Sequence, residues 1–130
     1  MILDSSALIA ILQQESDAQK FAQSLDSAPL LKLSSPTYLE TAMVHSGRYG
    51  AEALLELDEL VARIGIEIIP FSHHAAQVAA LAFLKYGKGQ GHPAQLNFGD
   101  CIAYATSKVE AMPLLFKGDD FRLTDVECAI

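Results

Sequence analysis

Short apolar runs alternate along this chain with longer amphipathic stretches, and each run stops at a charge, a proline or a glycine turn. Ile2-Leu3 halts at Asp4, Leu30 to Leu33 gives way to Ser35-Pro36, Ile66 to Ile69 ends at Pro70, and Pro113 to Phe116 precedes Gly118. Runs this short suit buried strands, whereas helices need longer periodic stretches. The intervening segments carry helix signals. Ser5 or Ser6 can cap a helix through Leu12, Asp17 to Leu25 places Phe21, Ala22 and Leu25 on one face, and Ser35 before Pro36 starts a helix that stops near Gly47. From Gly50, Leu54, Leu55, Leu57, Leu60, Val61 and Ile64 are the apolar positions of another helix, closed by Gly65. Ser72 caps a helix over His73 to Tyr86. Asn97-Phe98-Gly99-Asp100 resembles a capping box opening a helix to about Glu110, and Val126 to Ile130 suggests a last short strand.

Strands separated by helices predict a three-layer α/β/α sandwich around a mainly parallel sheet. A chain of 130 residues is one domain's worth, spanning 1–130. No apolar run approaches the length of a membrane span. The opening Met1-Ile2-Leu3-Asp4 lacks the basic flank and long apolar stretch of a secretory signal, and Cys101 and Cys128 form no CxxC pair. These features together suggest a cytoplasmic protein without a disulfide framework.

In a parallel sheet all strands leave at one edge, and ligands bind outside that edge. Here the acidic residues become informative. Asp4 ends the first strand, Glu40 lies in the helix after the second, Asp100 sits in the first turn of a later helix, and Asp119 and Asp120 follow the fourth strand. Singly, each has an ordinary reading: a cap, a solvated helical Glu, a dipole partner, a turn. Together they predict a carboxylate cluster, and like charges at short range need a counter-ion. A hard divalent cation such as Mg²⁺ takes oxygen ligands and suits phosphoryl chemistry.

Other catalytic plans are absent. There is no GxSxG elbow, no GxxxxGK[ST] loop and no GxGxxG after a strand. Gly87-Lys88-Gly89-Gln90-Gly91 follows a helix, not a strand, so it does not read as a phosphate loop. His73-His74 lacks the HExxH spacing, and His45 and His92 have no ligand partners at a recognisable spacing. The net charge of −7 argues against polyanion binding over the whole surface, though not against a few local basic contacts.

The chain resembles the PIN-domain ribonucleases, and specifically the VapC toxins of bacterial toxin–antitoxin pairs, over essentially its whole length. The resemblance lies in Met1-Ile2-Leu3-Asp4-Ser5-Ser6-Ala7-Leu8, Ser35-Pro36-Thr37-Tyr38-Leu39-Glu40-Thr41, Tyr86-Gly87-Lys88-Gly89, Leu96-Asn97-Phe98-Gly99-Asp100-Cys101 and Leu114-Leu115-Phe116-Lys117-Gly118-Asp119-Asp120-Phe121. It implies metal ligation by Asp4, Glu40 and Asp100, with the fourth position at Asp119 and Asp120 as the neighbouring alternative. Ser5 is expected to orient a carboxylate or a metal-bound water. The implied reaction is Mg²⁺-dependent hydrolysis of an RNA phosphodiester, with Mn²⁺ as a substitute. Lys85, Lys88, His92, Lys117 and Arg122 are candidates for RNA-phosphate contacts. The resemblance also implies a homodimer and a cognate VapB-type antitoxin, seated in a groove around Leu8 to Leu12 and Tyr38 to Val44, with Arg48 nearby.

Three competing readings are distinguishable. A haloacid-dehalogenase-type phosphatase wants Asp-x-Asp after the first strand, and here the third residue is Ser6. A receiver domain should present an acidic pair there. A catalytically inert PIN-like interaction module should show degenerate acidic positions, yet all four are filled.

Overall fold

Ile2 and Leu3 are both buried, yet they join different halves of the core. Successive strand residues point to opposite faces, so a two-residue strand can anchor two layers. The computed structural model of the chain describes residues 1–130. Its strands are β1 (Ile2–Leu3), β2 (Lys32–Ser34), β3 (Glu67–Ile69) and β4 (Leu114–Leu115), all parallel, in the order β3-β2-β1-β4. The helices are α1 (Ser5–Leu12), α2 (Ala18–Ser27), α3 (Ser35–Tyr49), α4 (Glu52–Ile64), α5 (His73–Tyr86) and α6 (Phe98–Glu110). On one face Ile2 and Leu114 pack with Tyr86, Leu96, Tyr104 and Phe116 beneath α5 and α6. On the other, Leu3 and Leu115 pack with Leu8, Phe21, Leu33 and Leu60. This is the expected α/β/α sandwich. Truncating a buried leucine such as Leu3 to alanine costs about 2–5 kcal/mol.

The chain order reverses at β1. β2 and β3 lie to one side of it, and β4 returns to the other. That reversal is a topological switch point, where open parallel sheets form a crevice beyond the strand ends. Lys32, at the start of β2, meets Glu110 at the end of α6 at 2.8 Å. α6 therefore runs towards the amino edge of the sheet, and its first turn lies at the other end.

Local capping differs from the sequence reading in places. Of the alternative caps that the sequence allows for α1, the structure takes Asp4 rather than Ser5 or Ser6. Ser34, not Ser35, caps α3, and Pro36 lies within the first turn. α3 continues past Gly47 to Tyr49, because an exposed mid-helix glycine costs only about 1 kcal/mol. β2 begins at Lys32, leaving Leu30 exposed. The expected last strand is reduced to a single bridge between Cys128 and Leu114. A 3₁₀ turn at Asp120–Leu123, absent from the sequence reading, buries Phe121. Gly65 does close α4 in the left-handed conformation (φ 76°), as read.

Candidate metal centre

Asp4 is held from two sides. Its backbone N–H donates to Leu115 O (3.0 Å) in the sheet. Its Oδ2 accepts from the Ser6 amide (3.1 Å) and the Ser6 hydroxyl (2.5 Å). The Lys117 amide donates to Ser6 Oγ (2.9 Å), so the Ser6 hydroxyl proton is free to go to Asp4. Ser6 thus links β1, α1 and the end of β4. Ser5 makes no such contact, so the hold on the Asp4 carboxylate that was expected of Ser5 comes from its neighbour. The signal was available: a side-chain oxygen capping the amide two residues on is the usual N-cap geometry.

The other Asp4 oxygen, Oδ1, is buried and has no hydrogen-bond partner. Burial pushes the Asp4 carboxyl up to about 6 from 3.8, and the charges of Asp100 and Glu40 act in the same direction against the Ser6 hydrogen bonds. A buried acceptor without a donor is uncommon in a native fold and calls for an explanation.

Asp100 is fixed by the capping box that the sequence announced. Asn97 Oδ1 accepts from the Asp100 amide (2.9 Å), and Asp100 Oδ2 accepts from the Asn97 amide (3.0 Å). Burial raises the Asp100 pKa, and the charges of Asp120 and Glu40 raise it further, opposed by the Asn97 N–H. Of the adjacent acidic pair, it is Asp120 whose charge bears on Asp100. Both Asp119 and Asp120 are exposed.

Glu40 projects from α3 onto the first turn of α6. Its carboxylate lies against Gly99, where a Cβ would overlap both of its oxygens. Glycine here is a close-approach residue that sequence reasoning did not single out. A crevice of about 380 Å³ beside it is shared by Glu40, Thr37, Met43 and Phe98. The structure therefore brings Asp4, Glu40 and Asp100 within electrostatic reach of one another. No three acidic, histidine or cysteine side chains are gathered as a finished metal cage. Asp4 is tethered to Ser6 and Asp100 to Asn97, and unscreened carboxylates repel. An oxygen-only donor set, one open buried oxygen and a cradle for a third carboxylate nevertheless fit a hard divalent cation.

The basic candidates are dispersed. The Lys117 ammonium pairs with Glu15 and with Asp17 (3.1 Å). Lys85 stands over the Tyr86 ring (4.9 Å). Arg122 covers Phe116 (5.4 Å) and donates to Ile130 O (2.9 Å). His92 accepts from the Ala94 amide and sits edge-on to Tyr86. Lys88 is exposed in the glycine-rich loop. Burial, reinforced by Asp100, pushes the Cys101 thiol up, as befits an unreactive core cysteine.

Residues 1–127 match the PIN domain family model. "Ribonuclease VapC" of Mycolicibacterium smegmatis is 44% identical over 126 residues, covering 97% of each chain. Among solved structures, the Mycobacterium tuberculosis sarcin-ricin loop cleaving toxin VapC20 superposes with a TM-score of 0.76 at 15% identity, over 97% of this chain and 96% of that one. A toxin–antitoxin complex from Klebsiella pneumoniae gives 0.70 at 20% identity, over 92% and 88%. The chain belongs to the PIN domain family. Within that family its place is among the VapC proteins.

Proposed function

We propose that this chain is a metal-dependent endoribonuclease, the toxin of a VapBC toxin–antitoxin pair. The observation that carries the reading is the buried, unpartnered Asp4 Oδ1 at the switch point, facing the field of Asp100 and Glu40. A relative that is 44% identical bears the name ribonuclease, which supports the same chemistry. Asp4, Glu40 and Asp100 are the ligands we assign to Mg²⁺, or to Mn²⁺ in its place. The fourth position is Asp119 by resemblance, and the coupling of Asp120 to Asp100 favours its neighbour. A bound cation supplies charge neutralisation and polarises a phosphodiester oxygen. The chain's own residues do the rest. Ser6 holds Asp4 in one rotamer, and the Asn97 cap holds Asp100. Gly99 lets Glu40 reach the edge, where its carboxylate can orient an attacking water.

Lys117 and Arg122 have partners inside the fold, so Lys88 in its exposed loop is the freest of the candidate phosphate contacts. The partners we assign are RNA, a basic-tipped antitoxin segment drawn to the acidic edge, and a second copy of this chain in the cytoplasm. Leu39, Met43 and Leu84 are exposed beside Phe98, which is 84% exposed, and such a patch suits an interface.

The test is incubation of the antitoxin-free chain with total cellular RNA in Mg²⁺ or Mn²⁺ against EDTA, with Asp100→Asn as the paired control. Discrete metal-dependent fragments, absent in the variant, are expected. A folded chain that binds no divalent ion and cuts nothing would instead be an inert interaction module.

A further inference from the structure

The carboxylate edge makes no use of a polar cluster at the opposite end of α1, in which half-buried Gln13 and exposed Arg48 and Glu56 surround one buried imidazole. His45, on α3, is 1% exposed. Its Nε2 lies 3.1 Å from Glu56 Oε2 on α4, and its Nδ1 lies 3.5 Å from Gln13 Nε2, at the C-cap of α1. Arg48 Nη1 donates to Gln13 Oε1 (2.9 Å), and its guanidinium stands over the Tyr49 ring, which meets His45 edge-on. A crevice of about 240 Å³ opens beside the cluster, lined by Gln13, Gln14, His45, Tyr49 and Glu56.

The donors fix the direction of this chain. A guanidinium can only donate, so the Gln13 carbonyl oxygen faces Arg48. The Gln13 amide NH₂ then faces His45 Nδ1, which must accept. The imidazole proton is left on Nε2, pointing at a carboxylate that can only accept. Arg48, Gln13, His45 and Glu56 form one relay across α3, α1 and α4, and it requires the neutral Nε2–H tautomer.

We propose that His45 is a positioning residue: through this relay it locks the end of α1 to α3 and α4, and so sets where Asp4, at the start of α1, stands relative to Glu40 on α3. α1 has eight residues and is a rod about 12 Å long, so a tilt at Gln13 is carried to Asp4. The consequence for metal binding rests on the function proposed above, whereas the lock does not.

The test uses the full ¹⁵N-labelled chain at neutral pH. Long-range ¹H–¹⁵N spectra of wild type should show His45 with Nε2 protonated and Nδ1 bare. Gln13→Glu keeps an acceptor for Arg48 but offers Nδ1 no donor, so the Nδ1 signal should move towards its protonated position. The backbone amides of Ser6 and Glu40 should shift with it, and likewise in Gln13→Met, which removes the amide without adding charge. An Nδ1–H tautomer in wild type overturns the relay. Ser6 and Glu40 amides that stay in place in both variants overturn the positioning role. Failure of wild type to bind Mn²⁺ in a parallel titration counts against the proposed function and leaves both readings of the relay intact.

Discussion

At its amino end α1 starts on a buried carboxylate with one oxygen that meets no donor, while at its other end Gln13, Arg48, His45 and Glu56 each have a partner. Both ends bury polar atoms, and burial is costly for any polar group left unpaired. The fold resolves that cost internally at Gln13 and leaves it open at Asp4. Asp4 is held at the edge by Ser6 with its charge unmatched, and Glu40 and Asp100 add to the field rather than relieve it. The difference separates a structural polar cluster from the one we propose as a cation site.

The comparison breaks most severely if the open end is closed. Asp4→Asn or Asp100→Asn removes a proposed ligand, and cleavage should fall below about one hundredth of wild type, since even partners of ligands cost 10–100-fold. Assays of fragment yield against time check this. Gly99→Ala should act next most strongly. The added Cβ displaces the Glu40 carboxylate, which sits at the end of a flexible side chain, so the helix keeps its stability while cleavage falls by about tenfold or more. A melting curve beside the nuclease assay separates the two effects. Ser6→Ala removes the hydroxyl hydrogen bond to Asp4 and the acceptor of the Lys117 amide while keeping the backbone N–H bond to Asp4, and Mn²⁺ affinity measured by calorimetry should weaken by about tenfold. The smallest effect should be a contrast within the acidic turn. Asp120→Asn should alter Mn²⁺ affinity more than Asp119→Asn, because only Asp120 raises the pKa of Asp100.

Much of this architecture was legible in the residues. Apolar runs stopped by Asp4, Pro36 and Pro70 marked strands, and parallel pairing then dictated that Asp4, Glu40 and Asp100 share an edge. Asn97-x-x-Asp100 announced its own capping box. What stayed hidden depends on approach between distant segments. The Asp4 cap on the Ser6 amide was readable locally, but the hold of the Ser6 hydroxyl on the same oxygen was not, because the Lys117 amide just beyond β4 completes that arrangement. Gly99 reads as an ordinary helical glycine until Glu40 is seen against it. His45 showed no recognisable spacing because its partners sit 32 residues before it and 11 after it. The 3₁₀ turn over Asp120–Leu123, which follows Asp119, is closed by Phe121 burial, a long-range packing effect.

The most direct test is unfolding stability from pH 4 to 8, for wild type and Asp4→Asn, with and without Mn²⁺. The Asp4 carboxyl titrates at about 6 in the fold against 3.8 when unfolded, so between those values the native chain holds a proton that the unfolded chain has released. Without metal, this group's contribution is full near pH 4 and is lost as pH rises through 6, a loss of about 3 kcal/mol. Asp4→Asn lacks that loss and should be the more stable chain at pH 8. Mn²⁺ at about 100 times its Kd should restore about 2.7 kcal/mol to wild type and nothing comparable to the variant. Equal stabilisation of both chains by Mn²⁺, or a wild type that stays the more stable at pH 8 without metal, would contradict the account of Asp4 as an open cation ligand.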